Sequence, residues 1–150
     1  MTLELARDDR LGADALAMIG ESEAELAAIY PPEMRFAFSP TELIDAGVLF
    51  LVARRDGRPV GCGGLAPLEG YGELKRVFVT KAARSTGVAQ AILRRLEEEA
   101  LALSLPLVRL ETGEASPEAI RLYERAGYHR RGPFGRYAEN GSSVFMEKRL

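Results

Sequence analysis

The residues Arg84-Ser85-Thr86-Gly87-Val88-Ala89 stand between the β-branched and aromatic stretch Val77-Phe78-Val79 and a segment of helical periodicity. A strand, a polar loop and a helix start in that order leave free backbone N–H groups at the positive end of the helix dipole, aimed at whatever lies over the loop. A pyrophosphate suits such an arrangement. Gly87 removes a Cβ that would stand in its way, Ala89 keeps the first helical turn slim, and Arg84 can add a charged donor. The same residues also read as an ordinary strand-to-helix turn with a surface arginine, and a short glycine motif alone does not choose between the two. Other nucleotide patterns are missing. The chain has no G-x-x-x-x-G-K-[ST], and Gly61, Gly63 and Gly64 fall within or at the end of a predicted strand instead of forming G-x-G-x-x-G between a strand and a helix.

Tyr123 is the second residue of chemical interest. It shares a helical face with Ala119, Leu122 and Ala126, which by itself describes a packing tyrosine with its hydroxyl at the rim. Cys62 has no histidine pattern near it and reads as a small packing residue, and His129 reads as a surface residue in a short strand. Tyr30, Arg35, Phe36, Phe38, Arg136 and Tyr137 lie in two irregular regions. Arginines there would favour a ligand bearing a carboxylate, although loop arginines are commonly just solvated.

The elements that must position these residues follow from glycine, proline and the hydrophobic period. Residues 2–6 alternate as a first strand, and residues 13–30, rich in Ala, Leu, Met and Glu, read as a helix stopped by Pro31-Pro32. A short helix is expected at 40–46. Strands at 48–54 and 59–65 flank the two-residue turn Asp56-Gly57, and residues 71–79 form the third member of that antiparallel run. The period then changes: Val88, Ala89, Ile92, Leu93, Leu96, Ala100 and Leu103 mark one helical face. A strand at 107–112, a helix at 117–126 capped by Ser116 and closed by Gly127, and a strand pair at 128–131 and 143–150 complete the chain. This predicts an α+β (mixed α/β) fold, a central mixed, mostly antiparallel sheet flanked by helices in the order β-α-(α)-β-β-β-α-β-α-β-β.

Bulk properties narrow the function. With 150 residues, 47% hydrophobic and 28% charged, the chain suits one soluble domain spanning 1–150. Twenty Lys+Arg against 22 Asp+Glu give a net charge of −2, so no positive field attracts nucleic acid. One Cys and one His supply neither an internal disulfide nor the usual zinc ligands. The amino-terminal MTLELARDDR carries charges where a signal peptide needs an apolar stretch, and no apolar run spans a bilayer. A reduced, metal-free, cytoplasmic protein is the expectation.

Arg84-Ser85-Thr86-Gly87-Val88-Ala89 resembles [RQ]-x-x-G-x-[GA], the acetyl-CoA-binding hallmark of the GNAT superfamily. Residues 116–128, with Leu122-Tyr123 followed by Gly127-Tyr128, resemble that superfamily's second motif. The element order extends the resemblance over nearly the whole chain, and GELKRVFV, LETG and SVFMEKRL are similar to segments of small bacterial N-acetyltransferases. The resemblance implies transfer of acetyl from acetyl-CoA, a co-substrate, to a primary amine of a small molecule or protein by direct attack in a ternary complex. It implies no metal, and it leaves homodimer formation open. Backbone groups of Val77, Phe78 and Val79 would pair with the coenzyme arm, in a splay between that strand and the one at 107–112, and would polarise the carbonyl. Ser116, where many members carry Asn, would touch the arm, and Ser85 stands where the family often has Gly. An alkyl amine is protonated at neutral pH, so a base is needed. Glu73 matches the family's glutamate, with Glu111 as second candidate; Glu73 also reads as a strand carboxylate paired with Lys75 on the same face. Tyr123 matches the family's proton donor to the leaving thiolate. The rival reading is a non-catalytic acyl-CoA-binding sensor or regulatory module, which needs neither base nor acid.

Overall fold

The computed structural model describes residues 2–150. Strand β1 (Leu3–Arg7) leads into helix α1 (Ala13–Ala27), and a short helix α2 (Pro40–Asp45) precedes three antiparallel strands, β2 (Leu49–Arg55), β3 (Arg58–Leu68) and β4 (Tyr71–Val79). Helix α3 (Val88–Ala102) crosses to β5 (Leu107–Gly113), and helix α4 (Pro117–Arg125) is followed by β6 (His129–Arg131) and β7 (Ser143–Arg149). The strands make one sheet in the order β1-β2-β3-β4-β5-β7-β6. Every neighbouring pair is antiparallel except β4–β5, which is parallel because α3 carries the chain back across the sheet. The predicted element order and mixed sheet are present. No helix among the described residues is long and apolar enough to cross a membrane.

Strand alternation divides the core into two layers. Leu49, Leu51 and Ala53 face α3 and α4, where Ile92, Leu93, Leu96, Ala100, Ile120 and Tyr123 pack on them; Phe50 and Val52 face α1 and α2, against Ala15, Met18, Ile19 and Leu43. Cys62 belongs to the second layer and is fully buried, its thiol pushed up to about 12 by burial, so it packs and does not react. His129 is exposed. Asp56 and Gly57 both take positive φ, 52° and 80°, the geometry of a two-residue hairpin turn that matches strand twist.

Two boundaries move by three residues, and one expected capping bond is absent. Helix α1 ends at Ala27, not Tyr30: Pro31 biases Tyr30 away from helical geometry, and the backbone closes through Tyr30 N–H to Leu26 O at 2.8 Å. Strand β3 runs on to Leu68, because Pro67 opposite Gly72 near the strand's end forfeits little of the ladder. Ser116 is the N-cap of α4 but makes no side-chain capping bond; its hydroxyl is hydrogen-bonded instead to the Tyr30 hydroxyl at 2.8 Å.

The fit of α3 on the sheet depends on Gly63. A Cβ there would lie 2.8 Å from Ile92 Cγ2 and 3.2 Å from Leu96 Cδ1, atoms fixed in the packed face. Gly63→Ala is expected to destabilise the fold by about 1–3 kcal/mol through overpacking. Urea unfolding checks this: the midpoint should fall with an unchanged slope.

Candidate functional site

The parallel ladder between β4 and β5 contains only Gly72↔Val108 and Glu73↔Arg109. Past it, residues 74–79 remain paired with β3 on one side and meet no strand on the other. The divergence has a local cause on each strand. Strand β4 carries a bulge, a register shift opposite Cys62 and Gly64 with Arg76 at φ 53°, and bulges bend the strand that holds them. Strand β5 is held straight by β7 along its whole length, from Leu107↔Arg149 to Gly113↔Ser143. A cavity of about 870 Å³ opens in the gap, within the usual size range of ligand sites.

At one end of the cavity lies the loop into α3. Gly87, the helix N-cap, has φ 90°, and an added Cβ would meet nothing within 4 Å. Its glycine is therefore required by backbone conformation, with open space above it. Ser85, with φ 63°, holds the left-handed conformation that explains a preference for glycine at that position. Gly87 offers α3 no side-chain cap, and among the described residues no acceptor is hydrogen-bonded to the backbone amides of residues 85–90. Those orphan donors converge at the positive end of a 15-residue helix, a cradle suited to phosphate. Val77, Phe78, Val79, Arg84, Ser85, Gly87, Val88, Ala89 and Ser116 all line the cavity; Thr86 does not, its hydroxyl being bonded to Ala83 O and to Arg55. Arg84 differs from the free donor expected. Its Nε donates to Val79 O at 3.0 Å and its Nη2 is paired with the Glu25 carboxylate at 2.7 Å.

Titratable groups gather at the middle of the cavity. Glu73 is 5% exposed and off the cavity wall; its Oε2 accepts from Lys75 Nζ at 2.9 Å and from the Tyr137 hydroxyl at 2.6 Å. The pairing of Glu73 with Lys75 read from strand alternation is present, but inside the protein and not on its surface. Lys75 and Tyr137 do line the cavity, with Lys75 Nζ 3.9 Å from the Phe38 ring centroid. Glu111, from β5, lines the cavity directly. Burial pushes its carboxyl up to about 7, opposed by a 2.7 Å hydrogen bond from the Ser143 hydroxyl and by the Lys75 charge, and assisted by the Glu73 charge.

Tyr123 comes to the same cavity from α4. It is 7% exposed, its hydroxyl has no hydrogen-bond partner among the described residues, and burial with the nearby Glu111 carboxylate raises its pKa well above the ordinary phenol value. Its ring packs edge-on to Tyr128 at 5.8 Å. Tyr30 seals the space beside Ser116, and Gly113 is glycine because a Cβ there would collide with the Tyr30 hydroxyl. Sequence reasoning singled out Tyr30 and Tyr137 only as loop aromatics; the contacts that give them a place span 86 and 64 residues and leave no local signal. Among the described residues no group of three or more His, Cys, Asp or Glu could hold a metal ion.

Comparison with known proteins gives the chain's family and matches its fold. The model of the Acetyltransferase (GNAT) family matches residues 15–128. The IAA acetyltransferase of Azospirillum brasilense is 40% identical over 148 residues, covering 97% of each chain. The uncharacterised N-acetyltransferase YsnE of Bacillus subtilis (strain 168) is 33% identical over 146 residues, covering 95% of this chain and 97% of its own. A Klebsiella pneumoniae protein assigned as an acyl-CoA N-acyltransferase superposes with a TM-score of 0.83 at 31% identity, over 99% of this chain and 98% of that one. The PaiA N-acetyltransferase of Thermoplasma acidophilum, solved in complex with coenzyme A, has the same fold, with a TM-score of 0.78 over 100% of both chains at 19% identity.

The Glu111 environment has a thermodynamic consequence. A carboxyl with a folded pKa near 7 and an ordinary unfolded value binds more protons in the folded state between them. Stability from this group is therefore full below about pH 4 and is lost as pH rises through 7. Glu111→Gln should flatten that part of the profile. Urea midpoints for both proteins from pH 4 to 8 check this; parallel profiles would mean that Glu111 ionises normally.

Proposed function

From the premise that the chain belongs to the GNAT acetyltransferase family, we propose that it transfers acetyl from acetyl-CoA to a primary amine, within one catalytic domain and in a single ternary complex. The observation that carries this reading is the single cavity joining three features: the uncapped amides at the start of α3, the unpaired edge of β4, and the Glu111 and Tyr123 side chains. A sensor that only bound acyl-CoA would need the first two and not the last.

The residues fit the co-substrate. Amides of residues 85–90 would hold its pyrophosphate, and Arg84 would contribute once released from Glu25. An extended amide-bearing arm can add to the free edge of residues 74–79 as another strand would, and the same edge supplies N–H donors from Val77, Phe78 and Val79 to the thioester oxygen. Ser116 can reach the arm only by sharing or giving up its bond to Tyr30.

Glu111 is the base this geometry supports best, because it faces the cavity and its pKa is matched to neutral pH. Glu73, the residue expected from the family resemblance, acts on this reading through its partners: it fixes Lys75 and orients Tyr137, and its charge helps hold the Glu111 pKa up. The neutral amine attacks the thioester carbon. As the C–N bond forms and the C–S bond breaks, the amine's surplus proton passes to Glu111, and Tyr123 protonates the departing sulfur. A raised phenol pKa keeps that proton in place across the working pH range.

The test is the pH dependence of thiol release from acetyl-CoA with an amine acceptor. Wild type should show a rising limb near pH 7; Glu111→Gln should lose it, with kcat falling about 10²- to 10⁴-fold. Glu73→Gln should keep the limb but move it to lower pH, since one cause of the high Glu111 pKa is gone. Tyr123→Phe should lower kcat at unchanged acetyl-CoA affinity by calorimetry. A limb that survives in Glu111→Gln would remove Glu111 from the base role.

A further inference from the structure

Two arginines that line the cavity hold more hydrogen-bond donors than the protein itself satisfies. Arg35, in the segment after α1, and Arg76, at the β4 bulge, both line the cavity. They are bracketed on one carboxylate: Arg35 Nη1 donates to Glu23 Oε1 at 3.0 Å and Arg76 Nη2 to Glu23 Oε2 at 2.8 Å. Arg76 Nε is further fixed by Phe38 O at 3.0 Å. Two guanidinium groups thus share one carboxylate by hydrogen bond, and Glu42 lies close enough to Arg76 to feel its charge. Glu23 and Glu42 line a separate hollow that Arg76 also borders, so Arg76 lies between the two spaces while Arg35 faces the cavity.

Each arginine also keeps one buried donor without a partner, Arg35 Nε and Arg76 Nη1. The Arg76 side chain is only 4% exposed, so water does not easily take the missing acceptor's place. Orphaned guanidinium donors in a buried site are uncommon and point to an absent acceptor. The backbone that holds Arg76 is itself unusual, a non-glycine residue at φ 53°, and strain of this kind persists where a side chain must be aimed.

We infer that Arg35 and Arg76 form a carboxylate subsite, and that the acceptor is an amine that also bears a carboxylate, as an amino acid does. The two coplanar oxygens of a carboxylate match the guanidinium fork and offer one acceptor to each unpartnered donor. The acceptor's carboxylate would sit between the guanidinium groups and its amine would point along β4 toward Glu111. This inference rests on the acetyltransferase reading for the word acceptor, but the subsite itself is a binding claim.

The experiment has two arms. In the first, a panel of L-amino acids and their matching carboxamides is tested for acetyl-CoA-dependent thiol release. In the second, the N-acetyl-amino acids and N-acetyl-carboxamides are titrated calorimetrically into protein saturated with coenzyme A. Carboxylate forms should be preferred about 10- to 100-fold, the range for losing a hydrogen bond to a charged group. Arg35→Gln should close the gap between the two forms through KM and not through kcat. Arg76→Gln, accepted only if acetyl-CoA affinity is retained, should do the same. Equal use of carboxamides, or no binding and no transfer of either form, overturns the subsite. Carboxylate binding that is sensitive to Arg35→Gln but accompanied by no transfer supports the subsite and sinks the acetyltransferase reading instead.

Discussion

The shortness of the β4–β5 ladder is the constraint on which the rest of the structure depends. Two residue pairs hold the strands together, and beyond them a bent strand and a straight one separate inside the sheet instead of at its edge. Interior backbone groups that lose their ladder partners must find others, because a buried unpaired N–H or C=O is costly. Here the partners can be an extended ligand. The β4 bulge, the glycine at position 87 and the uncapped start of α3 then form one device, in which polar groups left open by the fold face one cavity.

Around that cavity, neighbouring carboxyls meet different surroundings. Glu73 is ion-paired and hydrogen-bonded twice on one oxygen, while Glu111, with one hydroxyl partner and more loss of water than compensation, is pushed toward neutrality at pH 7. Different surroundings for two nearby carboxyls are how a fold gives one side-chain type two behaviours. The buried Lys75 is tolerated because Glu73, Tyr137 and the Phe38 ring all receive it.

Much of this was legible in the sequence because it is local. The turn at Asp56-Gly57, the bounds of β4, the start of α3 and its apolar face follow from period and turn chemistry, and the loop motif located the uncapped start of α3 through the same local geometry. Ser39 and Glu42 form a capping box that sharpens the start of α2, a signal on which the expected helix at 40–46 did not rest. The rest was not local. Nothing near Arg76 announces a left-handed residue, since the conformation is imposed by β3 and α1 together. The Ser116 hydroxyl looked like a cap because serine usually is one; a tyrosine from the far side of the chain engages it instead. Glu73 ranked ahead of Glu111 on resemblance alone; which of them faces the cavity and which is enclosed by partners from other elements leaves no local signal.

The central claim is that the split sheet receives the co-substrate as an added strand with its phosphates on the α3 loop. Hydrogen exchange at amide resolution, with and without acetyl-CoA, tests it directly. The account predicts new protection confined to the free-edge amides within residues 74–79 and to the amides of residues 85–90. Saturable binding that leaves both segments exchanging as in the free protein would contradict it.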